Sequence, residues 1–360
     1  MFSMNEEILY IWLSSIDGVG SVIGSKLLKN FKDIRKIYVA TYCELLEIDG
    51  VGNKLAKKII DSKDLNYSKK IYSYCIENDI YILKKYKEKY PSQLNKYMNS
   101  PIVLYAKGII KEFSKSVAIV GARRCSEYGK KVTIELSKEL SKINIPIISG
   151  LAKGIDGYSH TVALKNNSYT IAVIGTGLDR CYPKEHVKLM EGICEQGLVL
   201  SQFPPQSKNA KQNFIRRNEI IAMLCEKIVV IEAGKNSGAL YTARCGMKYN
   251  KEVFAVPNNI YESFSIGTNQ LISEGAKIYI NPKYINYNTS SRKDDNYKLE
   301  SLKMSEEELK IYNLVKVSPS TLDEIKVILC RVINNIEEVL FQMELKGYII
   351  QKRGLFTPGV

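Results

Sequence analysis

Two glycines and a lysine follow an apolar run near the middle of the chain, in a spacing that suits anion binding. The run at residues 145–148 ends in the turn SGLAKG, which contains Gly150, Lys153 and Gly154, and a helical pattern begins near Ile155. A glycine turn at the start of a helix directs backbone N–H groups and the positive end of the helix dipole toward one point. We therefore predict an anion cradle here, with the charge of Lys153 at its edge.

Similar turns follow the other apolar runs of this region. They read GARRCS from residue 121, GTGLD from 175, SQFP from 201, FIRRN from 214 and GKNSGALYT from 234. The guanidinium of arginine suits phosphate oxygens and stacks on bases, and an aromatic ring such as Phe214 can also stack on a base. Taken singly, each glycine is explained by ordinary turn geometry, each arginine by a solvated surface and Phe214 by a core position. Their agreement predicts one surface for a phosphate backbone.

The chain lacks the sequence motifs that several other functions require. The chain has no GxxxxGK[ST] loop and no GxGxxG after its first predicted parallel strand, and its eight cysteines form no CxxC pair. We expect no cofactor, no metal and reduced, buried thiols. Asp156 is expected to brace its turn and His160 to pack in the core. An enzyme that binds or cleaves a nucleotide through Asp156, His160 or Glu232 remains the alternative.

The elements that position these loops alternate between short apolar runs and helical patterns. Near-continuous Val, Ile and Ala runs are typical of parallel strands covered on both faces, so the alternation predicts a doubly wound, mostly parallel α/β sheet. In such sheets, ligands bind beyond the carboxyl ends of the strands. The predicted strands are residues 117–121, 145–149, 170–175, 198–203, 227–233, 252–257 and 276–280.

The flanks of this region indicate two further domains. The pentapeptide IDGVG occurs at residues 16–20 and again at 48–52, each copy followed by a helical stretch. This repeat resembles tandem helix-hairpin-helix motifs, which hold DNA phosphates; two hairpins that pack on each other are the alternative.

At the other end, helical patterns precede a hairpin with Lys352-Arg353-Gly354 at its tip, which suggests a winged helix with residues 333–346 as its third helix. The predicted domains are a helical domain at 1–85, a Rossmann-like core at 86–281, a linker at 282–303 and a winged helix at 304–360.

Charge and hydropathy restrict the location and the partners. The formal net charge is +14 and the pI about 9.2, values that favour polyanions, although an A+T-rich genome also enriches Lys, Ile, Asn and Tyr. No apolar run reaches the length of a membrane span, and acids precede the first apolar stretch, unlike in a signal peptide. We therefore expect a cytoplasmic protein without a membrane partner.

The ordered motifs between residues 90 and 280 resemble those of the DNA-processing protein A family, also called Smf. They read YPSQL, IVGARRCSEYG, SGLAKGIDGYSH, GTGLDRCYP, FIRRNEIIA, EAGKNSGALYTA and GTNQLISEGA. The resemblance implies an extended Rossmann-like fold without nucleotide chemistry, binding of single-stranded DNA, a homodimer and loading of RecA recombinase during natural transformation, with single-strand-binding protein as a further partner. A scaffold whose end domains recruit proteins is a third hypothesis.

By motif position, the resemblance transfers DNA binding to Arg123, Lys153, Phe214 and Arg217. The complete predicted DNA-binding set is Arg123, Arg124, Gly150, Lys153, Gly154, Phe214, Arg216, Arg217, Asn218, Ser237 and Gly238. The chain departs from the family pattern at three places. Glu219 stands where the family usually has Arg, Asn258 where it usually has Gly, and Gln202 where it often has Glu. Glu219 brings a negative charge near the predicted site, so DNA affinity or a dimer contact could differ there.

Overall fold

The structure is a computed structural model of the chain. It describes residues 5–207, 210–285, 304–330, 332–333, 335–346, 348–352 and 354–358. The chain forms two compact units, Met1–Tyr287 and Asn288–Val360. The first unit contains a helical region and a large sheet, and the second is a small helical and β unit.

Six helices begin the first unit, and both IDGVG copies form turns between helices. A reciprocal contact relates the two turns. A Cβ on Gly50 would lie 2.8 Å from Ile23 Cδ1, and one on Gly18 would lie 3.1 Å from Leu55 Cδ1, so each turn packs against the helix that follows the other turn. Both glycines have positive φ, 96° at Gly18 and 87° at Gly50, which glycine adopts without strain. The helices are Glu6–Ser15 (α1), Ser21–Phe31 (α2), Ile34–Val39 (α3), Tyr42–Leu46 (α4), Asn53–Asp61 (α5) and Asn66–Glu77 (α6).

Ion pairs repeat this reciprocal arrangement. Lys26 of α2 pairs with Asp49 in the second turn, and Lys58 of α5 pairs with Asp17 in the first at 2.5 Å. The repeat of 32 residues thus relates both members of each pair. The two predicted hairpins therefore pack on each other, as in the alternative given in the sequence analysis.

Nine strands form one sheet in the order β1-β2-β6-β5-β4-β3-β7-β8-β9. The seven strands from β6 to β9 in this order pair in parallel, and β2 pairs antiparallel with β1 and β6. The strands are Tyr81–Lys84 (β1), Val103–Gly108 (β2), Val117–Val120 (β3), Ile147–Ser149 (β4), Thr170–Val173 (β5), Leu198–Ser201 (β6), Lys227–Val230 (β7), Glu252–Ala255 (β8) and Lys277–Ile278 (β9).

Helices cover both faces of the sheet, as the predicted doubly wound fold requires. Leu136 of α8 and Ile155 of α9 belong to the core on one face, whereas Ile220 of α11 and Leu240 of α12 belong to the core on the other. These helices are Ser92–Asn95 (α7), Glu127–Lys142 (α8), Ile155–Lys165 (α9), Val187–Gln196 (α10), Lys211–Leu224 (α11), Gly238–Lys248 (α12) and Ile266–Ser273 (α13), with short 3-10 turns at Lys184–His186 and Pro282–Ile285.

All seven predicted strands are present, each shorter than predicted, but the sequence analysis missed β1 and β2. β1 is four residues long and follows α6 closely, so its apolar residues continue the helical pattern. Its place in the sheet means that the sheet begins before the predicted domain boundary at residue 85.

Lys85, directly after β1, joins the helical region to the sheet. Its side chain is fully buried, and Nζ donates to Ser25 Oγ of α2 at 2.6 Å and to the Tyr97 carbonyl at 2.8 Å. Burial, and then the charge of Lys29, lower the pKa of Lys85 to about 8. Buried side chains of α1–α6 share one core with the sheet, which includes Tyr105 of β2.

The C-terminal unit has three helices and a three-stranded sheet in the order β10-β12-β11. This is the element order that the predicted winged helix would have, and that assignment stays a prediction. Arg353 at the predicted hairpin tip and the predicted linker from residue 286 onward lie outside the described residues. The elements are Glu306–Val317 (α14), Ser320–Thr321 (β10), Leu322–Leu329 (α15), Ile336–Leu345 (α16), Ile349–Lys352 (β11) and Leu355–Pro358 (β12).

All eight cysteines are free thiols. Cys43 and Cys330 are exposed, so the expectation of buried thiols is wrong for these two. Among the described residues, no group of three His, Cys, Asp or Glu side chains is placed to hold a metal ion. No helix in the described part of the chain is both long enough and apolar enough to cross a bilayer.

Candidate nucleic-acid interface

The strand order of the sheet reverses between β3 and β7, and this point selects the candidate site. From β3 the chain proceeds outward through β4, β5 and β6, and it then returns to place β7 on the other side of β3. The loops after β3 and β7 therefore diverge and leave a crevice at their carboxyl ends, where ligands bind in open α/β sheets. The predicted cationic loops after β3, β4 and β7 all lie at this edge.

A cleft of about 380 Å³ occupies the crevice, and we call it the switch-point cleft. It adjoins a narrow cavity of about 50 Å³, with which it shares Arg123, Ala152, Phe214 and Arg217. Gly150, Lys153, Tyr182 and Pro183 complete the lining of the cavity. The remaining lining of the switch-point cleft is Val120, Gly121, Asp156, Ile215, Asn218, Ile221, Asn236, Ser237, Gly238, Ala239 and Thr242.

The backbone of the turn after β4 does not form the predicted cradle. The amides of Gly150 and Ala152 donate to Asp156 Oδ2, at 3.2 and 3.4 Å, so the protein supplies its own anion to these two N–H groups. The first amide of α9, that of Ile155, donates to the Ala122 carbonyl at 3.3 Å. The predicted cradle is therefore wrong for these three amides, and the prediction that Asp156 braces the turn is confirmed.

Gly154 keeps this turn against the loop that carries Arg123. Its φ is 74°, and a Cβ there would lie 2.3 Å from the Ala122 carbonyl oxygen. Any side chain at this position would separate the two loops. Gly154 thus shapes the interface by close backbone approach, and it does not itself line the cleft.

Arg217 lines the floor of the cleft and the cavity, but it is almost fully buried. Only 6% of the residue is exposed, and Nη1 donates to the carbonyls of Gly150 and, at 2.6 Å, Val173. Burial lowers the pKa of Arg217 to about 10, while Asp156 opposes the shift. Burial also raises the pKa of Asp156, against the opposing charge of Arg217. The guanidinium joins the carboxyl ends of β4 and β5, so Arg217 is a positioning residue whose predicted contact with DNA stays untested.

Two aromatic rings form a platform at the narrow cavity. The centroids of Tyr182 and Phe214 are 5.5 Å apart and their planes are tilted by 59°. Arg217 Cζ lies 5.8 Å from the Phe214 centroid, and a Cβ on Gly175 would lie 2.8 Å from the ring. Phe214 is therefore supported from below and from one side, and half of Tyr182 is exposed to solvent.

Arg123 and Lys153 supply exposed cationic groups at the cleft. Lys153 Nζ pairs with Glu185 at 2.7 Å, and both side chains are more than half exposed. The hydrogen bond from Lys153 lowers the pKa of Glu185. A phosphate that binds Lys153 would have to compete with this carboxylate.

The structure brings most of the predicted residues together. Arg123, Lys153 and Arg217 line one cavity, as the predicted surface required. Arg124 and Arg216 are exposed but line neither the cavity nor the cleft, so their roles stay predictions.

Tyr182, Glu185 and Asn236 were missed as site residues. Tyr182 lies in the motif GTGLDRCYP, which follows a strand. Its aromatic side chain in that motif could have identified it as a site residue. Glu219, the departure from the family pattern, accepts from Tyr249 Oη at 3.3 Å and lines neither the cavity nor the cleft.

The residues on which the nucleotide-enzyme alternative depends are hydrogen-bonded to other residues of the protein. His160 Nδ1 lies 2.8 Å from Thr170 Oγ1, and burial lowers its pKa to about 3, which keeps the ring neutral. Glu232 is fully buried and accepts from the amide and hydroxyl of Ser126. The predicted core position of His160 is confirmed.

The positive charge of the chain is concentrated in the segment that forms the sheet. Residues 1–80 contain 11 Lys and Arg against 11 Asp and Glu, whereas residues 81–281 contain 29 against 16. Genome-wide bias toward lysine would not by itself produce this difference. The attraction for polyanions therefore belongs to the sheet region and its loops.

Known proteins resemble the chain over these same segments. A family model described as DNA recombination-mediator protein A matches residues 81–289, and one described as a SAM-like helix-hairpin-helix tandem matches residues 12–62. Protein Smf from Synechocystis sp. is 34% identical over 282 residues, which cover 77% of this chain and 71% of that protein.

Two solved structures share the fold. DNA processing protein A from Streptococcus pneumoniae aligns with a TM-score of 0.69 and 32% identity, over 81% of this chain and 100% of that one. DNA processing protein A from Helicobacter pylori aligns with a TM-score of 0.53 and 32% identity, over 57% of this chain and 93% of that one. The Helicobacter structure describes a single-stranded DNA binding mode of that protein.

Proposed function

The chain belongs to the DNA recombination-mediator protein A family, and on that premise we propose that it binds single-stranded DNA without catalysis and loads RecA recombinase onto it. The observation that carries the proposal is the convergence of Arg123, Lys153 and Phe214 at the point where the strand order reverses. Two exposed cations beside an aromatic platform suit a sugar–phosphate chain whose bases are unpaired. A duplex hides its base faces by stacking, so Phe214 and Tyr182 favour single strands.

A binding titration with charge reversals tests the site. The affinity of an Arg123→Glu plus Lys153→Glu protein for a fluorescent oligonucleotide should fall, and the slope of log K against log salt should weaken by about 1.4, since each phosphate contact on a single strand contributes about 0.7. The matched control is Lys131→Glu plus Lys138→Glu, which reverses two exposed lysines on α8 outside the cleft. Equal losses in both proteins would contradict a localised site.

The aromatic platform has its own test. Phe214→Ala should lower single-strand affinity by about 1–3 kcal/mol for the base it stacks on, whereas Phe214→Tyr should retain it. Affinity for duplex DNA should change little. An unchanged single-strand affinity in Phe214→Ala would show that no base stacks on this ring.

RecA loading in transformation or recombination is the biological step that we propose for this binding. Purified protein should accelerate RecA assembly on single strands coated with single-strand-binding protein, measured as DNA-dependent ATP hydrolysis by RecA. The Arg123→Glu plus Lys153→Glu protein should lose the acceleration. Loading by this variant at the wild-type rate would separate RecA handling from the cleft.

A homodimer is part of the proposal. Its support is the free edge of the sheet at β9, where Ile278 is 48% exposed and Ile280, just beyond the strand, is 59% exposed. Sedimentation of the wild type against an Ile278→Lys protein tests this edge. A wild-type monomer at micromolar concentration would contradict the dimer.

We do not include the C-terminal unit in the DNA site. Its third helix, α16, has Glu337 and Glu338 in its first turn, exposed Phe341 and Leu345, and no Lys or Arg between Ile336 and Leu345. Carboxylates on this helix would repel phosphates.

The nucleotide-enzyme alternative is disfavoured because Asp156, His160 and Glu232 are buried and hydrogen-bonded. Incubation with a nucleotide panel should therefore release no product.

A further inference from the structure

A second cleft lies beside the loop that connects β6 to α11, and we call it the α6 cleft. Its volume is about 630 Å³, and its lining consists of residues of α6 together with Gln206 of the connecting loop. The α6 residues that line it are Asn66, Lys69, Lys70, Ile71, Ser73, Tyr74 and Glu77.

The side chains of the α6 cleft suit a single-stranded nucleic acid. Lys69 and Lys70 are exposed and make no hydrogen bond or ion pair within the described part of the chain. Tyr74 lines the same cleft, and Tyr67, about two turns earlier on α6, is 49% exposed. Lysines interleaved with aromatic rings bind the backbone and stack on bases without sequence preference. Glu77, at the end of the helix, is the acid in this lining.

The lysines of the helix-hairpin-helix turns differ in this respect. Lys26 pairs with Asp49 and Lys58 pairs with Asp17, so each already has a carboxylate partner. A phosphate at either turn would compete with an acid, whereas Lys69 and Lys70 have no such competitor. Lys69 and Lys70 are therefore more available to a phosphate than Lys26 and Lys58 are.

Close approaches between buried and half-buried segments limit the distance between the α6 cleft and the Phe214 ring. A Cβ on Gly175 would lie 2.8 Å from Phe214, and one on Gly177 would lie 2.7 Å from the Pro204 carbonyl oxygen. Gln206 follows two residues after Pro204 and lines the α6 cleft. At about 3.8 Å between consecutive Cα atoms, and with the two close approaches added, these steps place the Cα atom of Gln206 within about 26 Å of the Phe214 ring. At the 3.4 Å per nucleotide of a stacked strand, about eight nucleotides would span that distance, and an extended strand would need fewer.

We propose that single-stranded DNA bound in the switch-point cleft continues past Phe214 and the Gln206 loop into the α6 cleft, where Lys69 and Lys70 hold its phosphates. The inference rests on the proposed function, since it requires DNA in the switch-point cleft. It assigns the helical region a direct part in binding, through α6 and not through the hairpin turns. Longer strands should consequently gain affinity that short strands do not.

Two oligothymidylates separate the clefts. A short one of about four nucleotides covers roughly 14 Å when stacked and stays short of the α6 cleft when extended, whereas one of about twenty reaches both clefts. In a Lys69→Glu plus Lys70→Glu protein, the long strand should bind about tenfold more weakly, and its salt slope should weaken by about 1.4, the share of two phosphates. The short strand should bind as it does to wild type.

The control reverses two other exposed lysines of the helical region. Lys54→Glu plus Lys57→Glu on α5 changes the net charge equally and lies beside the second hairpin turn. This protein should bind the long strand as wild type does, and thermal unfolding should verify that both variants are folded. The milder Lys69→Gln plus Lys70→Gln protein should show an intermediate loss.

Each failure has a distinct signature. Wild-type protein that does not bind the short strand would overturn the proposed function itself. If wild type binds it but Lys69→Glu plus Lys70→Glu leaves long-strand binding unchanged, the α6 cleft is not part of the path. Equal weakening by the α5 control would likewise overturn the inference, because the effect would then be one of general charge or of the hairpins.

Discussion

Arg217→Met is expected to destabilise the first unit strongly, because it leaves a buried carboxylate without its cation. Arg217 also bonds to the carbonyls of Gly150 and Val173, and all of these groups lie in the interior. Asp156 and Arg217 interact electrostatically in the interior, and leaving a buried charge without its compensating cation costs about 3–5 kcal/mol. At roughly 2–4 °C per kcal/mol for a large unit, the midpoint of thermal unfolding should fall by about 6–20 °C.

A double-mutant cycle with Asp156→Asn identifies the cause. The asparagine keeps an oxygen acceptor for the turn amides and removes the charge that Arg217 compensates. The protein with both changes should be less destabilised than the sum of the single changes, by about 1–3 kcal/mol. Urea unfolding followed by the fluorescence of Trp12, the single tryptophan, reports on this unit. Single changes whose effects add to within about 0.5 kcal/mol would refute the electrostatic coupling of Arg217 with Asp156.

The pH dependence of Arg217→Met gives an independent measurement. Burial raises the pKa of Asp156 above its ordinary value, so its charged form is disfavoured in the folded protein and its contribution to stability falls as the pH rises through this range. The charge of Arg217 opposes this rise in the pKa of Asp156, so the pKa rises further when Arg217 is removed. The penalty of Arg217→Met should therefore be smaller at acidic pH, where less of Asp156 is charged, than at pH 7. A penalty independent of pH would assign the loss to packing.

The other predictions concern single contacts at the interface. Glu185→Gln should tighten single-strand binding by about two- to fourfold, because it frees Lys153 from an exposed ion pair; weaker binding in a titration would contradict the competition. Gly154→Ala should lower the free energy of unfolding by at least about 1–3 kcal/mol, since its φ is 74° and its Cβ would lie 2.3 Å from a carbonyl oxygen. Gly20→Ala, with open space around its Cβ, is the matched control and should be near neutral. A chain that ends at residue 287 should keep its single-strand affinity within about twofold in the same titration, and a larger loss would place part of the DNA site in the C-terminal unit.

Much of the fold and of the site could be predicted because local sequence patterns determine them. Buried parallel strands require apolar runs, and their carboxyl ends must meet at one edge of the sheet. That rule brought Arg123, Lys153 and Phe214 together from segments up to 91 residues apart, as the shared cavity confirms. The glycine at 154 was predicted on the same basis.

The sequence by itself determined the family, the alternation of strands and helices, and the loops at which a phosphate backbone could bind. Only the tertiary structure decided what each group in those loops faces. Arg217 is charged in any context, but the carbonyls that bind it come from the turn after β4 and from β5, 67 and 44 residues away. The turn amides are directed at Asp156 and not at solvent. A side chain's type fixes what it can bind, whereas its neighbours in space fix which partner it has, and those neighbours are distant in the chain.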